Sequence, residues 1–120
     1  MKPNPRAAIA YIVGHLSSKR DGCSVFDYDA KKYINMSGTV DDCRISIYDH
    51  DQYCHITGSG HSGSFTLYHH GDRHHISLSL NKTNFNGFDY GSRCHFSGVV
   101  NRNSVSIYDY EEKRHFNYSL

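Results

Sequence analysis

The chain has no tryptophan, and its only two prolines lie within the first five of its 120 residues. That scarcity, beside ten Tyr, six Phe, ten Gly and abundant Ser and Asn, favours a half-buried all-β fold over disorder. There is no excess of charge. A formal net charge of +1 provides no overall field to draw nucleic acid or a membrane towards it. Long apolar runs are missing too. About ten apolar residues follow Met1-Lys2-Pro3-Asn4-Pro5, broken by Gly14 and His15, which makes a poor signal peptide and too short a membrane span. The four cysteines (Cys23, Cys43, Cys54, Cys94) form no CxxC and no zinc-ribbon spacing, so the expectation is cytoplasmic residence with reduced thiols. No GxSxG, HExxH, phosphate-binding loop or dinucleotide fingerprint occurs.

What is present is a repeat. Tyr48, Tyr68, Phe88 and Tyr108 follow one another at twenty residues, and Phe26 lies twenty-two before Tyr48. Seven residues after each stands Tyr33, His55, His75, His95 or His115, with matching flanks such as Ser46-Ile47, Thr66-Leu67 and Ser106-Ile107. This is a true internal repeat. Read with period two and a two-residue turn at Asp51-Gln52, it sets Tyr48 opposite His55 and Ile47 opposite Ile56. Equivalent turns fall at Asp29-Ala30, Gly71-Asp72, Gly91-Ser92 and Glu111-Glu112, the two glycines suiting a type II′ geometry. Between hairpins, turns at Asp42-Cys43, Lys82-Thr83 and Arg102-Asn103 bring Val40 to Ile45, Leu80 to Phe85 and Val100 to Val105. A one-residue slip would break every pairing.

The fold expected is a single domain over 1–120: a helix at 5–18, then five β-hairpins at 23–120 in an up-and-down antiparallel meander. An offset of two residues per hairpin, about ten in all, gives a tilt of about 35° and a closed ring roughly 19 Å across. Side chains alone cannot fill such a ring. The N-terminal segment is the candidate filler, with Asn4 as N-cap, Pro5 at the first helical position and an apolar stripe at Ile9, Ile12, Val13 and Leu16. The alternative is an open or rosette-like sheet with the amphipathic helix packed across it, whose free edges would invite oligomerisation. Inward glycines (Gly38, Gly58, Gly60, Gly87, Gly98) would let a helix approach or let strands bend. The apolar face carries Asp27/Lys32, Asp49/Cys54, His69/His74, Asp89/Cys94 and Asp109/Arg114 near the hairpin tips, read as a solvated rim with two ion pairs.

The polar face carries the candidate ligand or partner site: Tyr48, His55, Tyr68, His75, Phe88, His95, Tyr108 and His115, with Arg73 and Arg93 beside them. Such a surface suits a protein or small-molecule partner. Interleaved rings and basic residues also resemble a stacking platform for single-stranded nucleic acid, but the balancing Asp residues weigh against it. His69, His70, His74 and His75 around one turn are the local candidates for Zn or Ni, since imidazole binds such metals. Within a hairpin, Cys54 finds neither His50 nor His55 on its own face, so no nucleophile–base pair arises and a non-enzymatic role is expected. Full protonation of the ten His would take the formal charge from +1 to about +11, which leaves pH sensing an open question.

In length the unit resembles MORN and cell-wall choline-binding repeats. Their motifs are missing, including the MORN Tyr-x-Gly-x-Trp pattern, and no functional residue carries over. Fatty-acid-binding barrels are similar in strand count, but they insert two helices after the first strand.

Overall fold

A computed structural model describes residues 1–18 and 22–120. After the helix α1 (Pro3–Ser18) come ten strands: β1 (Ser24–Asp27), β2 (Lys32–Val40), β3 (Arg44–Asp49), β4 (Cys54–His61), β5 (Ser64–His69), β6 (His74–Asn81), β7 (Asn84–Asp89), β8 (Cys94–Asn101), β9 (Ser104–Asp109) and β10 (Arg114–Ser119). Each strand pairs antiparallel with its sequence neighbours, and β1 pairs with β10, so the sheet closes into a barrel. The pairings expected from alternation are present: Tyr48 with His55, Val40 with Ile45, Leu80 with Phe85 and Val100 with Val105.

The stagger is larger than the regular repeat implies. Within regular units the offset is two residues, since His55 faces Tyr48 on one side while Thr57 faces Tyr68 on the other. At two junctions it is four: Tyr33 faces Phe26 but Ser37 faces Tyr48, and His115 faces Tyr108 but Ser119 faces Phe26. The total is about 14 residues rather than ten, which raises the tilt to about 45° and the diameter to about 22 Å. That lumen takes a helix 10–12 Å wide.

The helix fills it. Every residue from Pro5 to Gly14 is buried, so the helix is enclosed on all sides rather than presenting one apolar stripe to a sheet. Ala7, Ala8 and Ala10 are as deeply buried as Ile9, Ile12 and Val13. Both ends are tied to opposite rims: Asn4 Nδ2 donates to Asp49 and Asp51, while Ser17 Oγ and Ser18 Oγ donate to the carbonyls of Lys82 and Arg102. The helix starts two residues earlier than expected. Lys2 O accepts the first helical bond from Arg6 N, Pro3 takes the first helical position, and Asn4 is freed to bond the barrel.

The inward glycines serve the strands rather than the helix. A Cβ at Gly58, Gly87 or Gly98 would lie 2.0–2.3 Å from a carbonyl oxygen of the neighbouring strand, and Phe96 and Phe85 rings cover the last two.

Two-residue turns do form between hairpins, with positive φ at Ser62, Lys82 and Arg102. At the hairpin tips the expectation fails. The ladders end at pairs such as Asp49–Cys54, leaving four-residue loops at 28–31, 50–53, 70–73, 90–93 and 110–113. The left-handed conformation falls on the last loop residue, Lys31, Tyr53, Arg73, Arg93 or Lys113, and not on Gly71 or Gly91. Those glycines provide clearance instead: a Cβ at Gly71 would sit 2.9 Å from Cys54 Sγ, and one at Gly91 2.5 Å from His74 Cδ2.

Candidate functional site

Two residue sets meet at the hairpin-loop end of the barrel, one pointing out and one in. Outside, alternation gives each hairpin a cluster of three rings. Tyr48 packs edge-on against His55 across the strands, at 4.8 Å between centroids, and against His50 two residues on, at 4.9 Å. The same T-shaped pattern joins Tyr68 to His75 and His70, Phe88 to His95 and Tyr90, Tyr108 to His115 and Tyr110, and Phe26 to Tyr33 and Tyr28. Neighbouring clusters are linked by backbone bonds from His70 N to His55 O, Tyr90 N to His75 O and Tyr110 N to His95 O. The result is a belt of rings over the second to fifth hairpins, which the first hairpin's rings extend across two staggered junctions where His50 N bonds Asn35 O and Tyr28 N bonds Asn117 O. All eight aromatic and His residues expected on the polar face lie on it, and Arg73 and Arg93 sit exposed in the loops beside it. The third rings, Tyr28, His50, His70, Tyr90 and Tyr110, lie on the face that alternation makes polar, two residues beyond the first ring of each cluster, although they are not among the binding residues expected there. Tyr28, Tyr33, Tyr90 and Tyr110 are all more than half exposed, and they fall on the adjacent fourth, fifth and first hairpins. The second and third hairpins carry His50, His55, His70 and His75 instead.

Inside, the expected solvated rim is a buried ring of caps. Asp27, Asp49, Asp89 and Asp109 are nearly inaccessible to water, and the ion pairs Asp27–Lys32 and Asp109–Arg114 do not form. Lys32 and Arg114 reach across to loop carboxylates of neighbouring hairpins, Asp51 and Asp29. A buried carboxylate needs donors, and the loops supply them. Asp49 Oδ1 accepts from Asp51 N and Gln52 N, Asp27 Oδ1 from Asp29 N and Ala30 N, and Asp89 Oδ1 from Gly91 N. Asp109 Oδ1 accepts from Glu111 N, while its other oxygen pairs with Arg6 Nη1 at 2.9 Å and with the Met1 amino group at 3.2 Å. Burial alone would lower the pKa of that amine, but its bonds to Glu111 and Asp109 raise it. Arg6 lies over the Phe116 ring and donates to the Tyr118 hydroxyl, whose pKa burial drives upward.

In the third hairpin the cap is His69, 2 % exposed, whose Nδ1 accepts from Asp72 N at 3.1 Å. Its Nε2 lies 3.9 Å from Cys54 Sγ, and Asp49 pairs directly with Cys54. Among the described residues, Asp49, Cys54 and His69 are the one group of His, Cys and acidic side chains with three donor atoms within 4.8 Å of one another. His69 reaches Cys54 from the next hairpin through the Ile56–His69 register, a neighbour that pairing within one hairpin does not show.

The hydrogen-bond polarity tells against catalysis here. An Nδ1 that accepts leaves the neutral ring's proton on Nε2, so Nε2 has no lone pair with which to take the thiol proton. The thiol is held protonated as well: burial, then the Asp49 carboxylate, raises the Cys54 pKa, while burial lowers that of His69. A metal on Nε2 would meet the same obstacle, since it would require a proton on Nδ1 facing the Asp72 N–H. The four expected metal ligands do not converge. His69 and His74 share the inward side of the β5–β6 ladder, where only His69 is buried, whereas His70 and His75 flank Tyr68 on the outside.

No protein-family model matches the chain, and neither a curated protein nor a solved structure matches it. None of the helices among the described residues is long and apolar enough to cross a membrane.

Proposed function

We propose that the chain is a non-enzymatic binding module that uses its outer ring belt, with Arg73 and Arg93, to hold a protein partner. The observation that carries this reading is the filled lumen. Barrels that carry small ligands keep space inside, whereas here α1 occupies the interior, so recognition falls to the outer wall. That wall is convex and cannot enclose a small molecule, but exposed Tyr, His and Arg are residue types that protein interfaces favour. The outward Ser, Thr and Asn of the strands offer no apolar band to lipid. Four free thiols suit a reducing compartment such as the cytoplasm.

A small ligand is the second reading. It is favoured by an open recess of about 390 Å³ at the opposite rim, lined by Leu16, Phe65 and Leu80 with Asp42 and Lys82 at its edge.

Quantitative pull-down with purified chain tests the first reading. A protein retained by wild type should be lost with Tyr33→Ser/Tyr110→Ser and kept with Lys82→Ser. Retention that ignores the tyrosines contradicts it. Competition by single-stranded oligonucleotide, or stoichiometric Zn or Ni in untagged protein, would replace it with a nucleic-acid or metal role.

A further inference from the structure

The cap position of the repeat holds Asp in four hairpins and His in one. We propose that this difference makes the third hairpin an acid-released element: a proton on His69 uncaps the 70–73 loop and frees it from the rim, while the other four loops stay fastened. The geometry requires a lone pair on Nδ1, because Asp72 N–H points at it from 3.1 Å. Protonation turns that acceptor into a donor facing another donor. A carboxyl cap differs, because it keeps an acceptor oxygen for its loop amide in either protonation state.

The surroundings of His69 include groups of both signs. Asp72 and His70 belong to its own hairpin, and His74 faces it across the ladder. Asp49 and Cys54 come from the preceding hairpin and Asp89 from the following one, while Lys2, ahead of the helix, pairs with Asp72 at 3.5 Å. Three carboxylates favour the imidazolium. Burial and the Asp72 N–H oppose it, and burial dominates. The proton therefore enters most readily once the loop has opened, which is the linkage that couples pH to release.

Release has consequences on both faces. The loop is packed against Cys54 and the His69 ring at Gly71, so opening uncovers that thiol. His70 belongs to the same loop and to the outer belt, where it touches Tyr68 and bonds Thr57 Oγ1, so opening also breaks the belt there. The release itself does not depend on the belt binding a partner.

Residue-resolved amide exchange of the full chain at pH 7 and pH 5, corrected for intrinsic rates, tests the proposal. Arg73 N bonds His69 O as Arg93 N bonds Asp89 O and Lys113 N bonds Asp109 O, so these three loops have equivalent reporters. Protection at Arg73 should fall about tenfold relative to Arg93 and Lys113 on acidification, and His69→Asn, which keeps an acceptor that does not titrate, should abolish the difference. Parallel behaviour of the three amides overturns the proposal. So does an imidazole nitrogen spectrum of wild type placing the proton of neutral His69 on Nδ1, a readout that holds even where the variant fails to fold.

Discussion

Asp109 and His69 occupy the same place in two units of one repeat, and they serve the barrel differently. Asp109 holds a loop amide and also balances two buried cations, the Arg6 guanidinium and the Met1 amine. His69 holds a loop amide while remaining neutral, beside a half-buried thiol. One position fastens the helix to the wall. The other fastens only its own loop. A repeat thus fixes where a side chain points while leaving its charge free to set how firmly each unit is held.

Breaking the stronger side should have the larger effect. Asp109→Ala leaves Arg6 and the amine buried without their carboxylate, and should cost about 3–5 kcal/mol in a urea denaturation series. His69→Ala removes one neutral cap and should cost about 1–2 kcal/mol by the same measurement. Equal costs would dissolve the distinction.

The pH dependence sharpens it. The pKa of His69 is lowered in the folded chain, chiefly by burial, so the unfolded chain takes up the proton first as pH falls through the usual His range near 6.5. Stability contributed by the neutral ring is therefore complete above that range and is lost below it. Between pH 7 and pH 5.5 the denaturation midpoint of wild type should drop by the equivalent of about 1 kcal/mol more than that of His69→Asn. The smallest effect belongs to the exposed Lys32–Asp51 pair: Lys32→Ala should change stability by less than about 1 kcal/mol, an effect that salt erases.

Alternation made much of this legible. Pairing Ile47 with Ile56 and Val100 with Val105 on one face left a single register, and the ladder followed from it, while closure was the favoured of two arrangements. The total stagger did not follow, because it depends on the irregular β2–β3 and β10–β1 junctions rather than on the repeat. Asp27, Asp49, Asp89 and Asp109 were assigned to the correct face but to a solvated rim, since a carboxylate among apolar residues ordinarily signals water. What the reading lacked was the four-residue loop, whose inward N–H groups make burial affordable. Arg6 was hidden for a different reason: its partners, Asp109 and Tyr118, lie more than a hundred residues away. The belt was visible as a polar face of rings, but only its cross-strand Tyr/Phe–His pairs stood out as a site, because alternation gives the face and not which rings touch.

Placing recognition on the outer wall stands on the chain having plugged its own barrel. A nuclear Overhauser spectrum of the intact protein addresses that directly. Backbone contacts between Phe26 and Ser119, together with contacts from side chains of α1 to both β2 and β9, are the expected result. Rapidly exchanging amides along β1 and β10, with α1 touching only one of β2 and β9, would mean an open sheet with a helix laid across it.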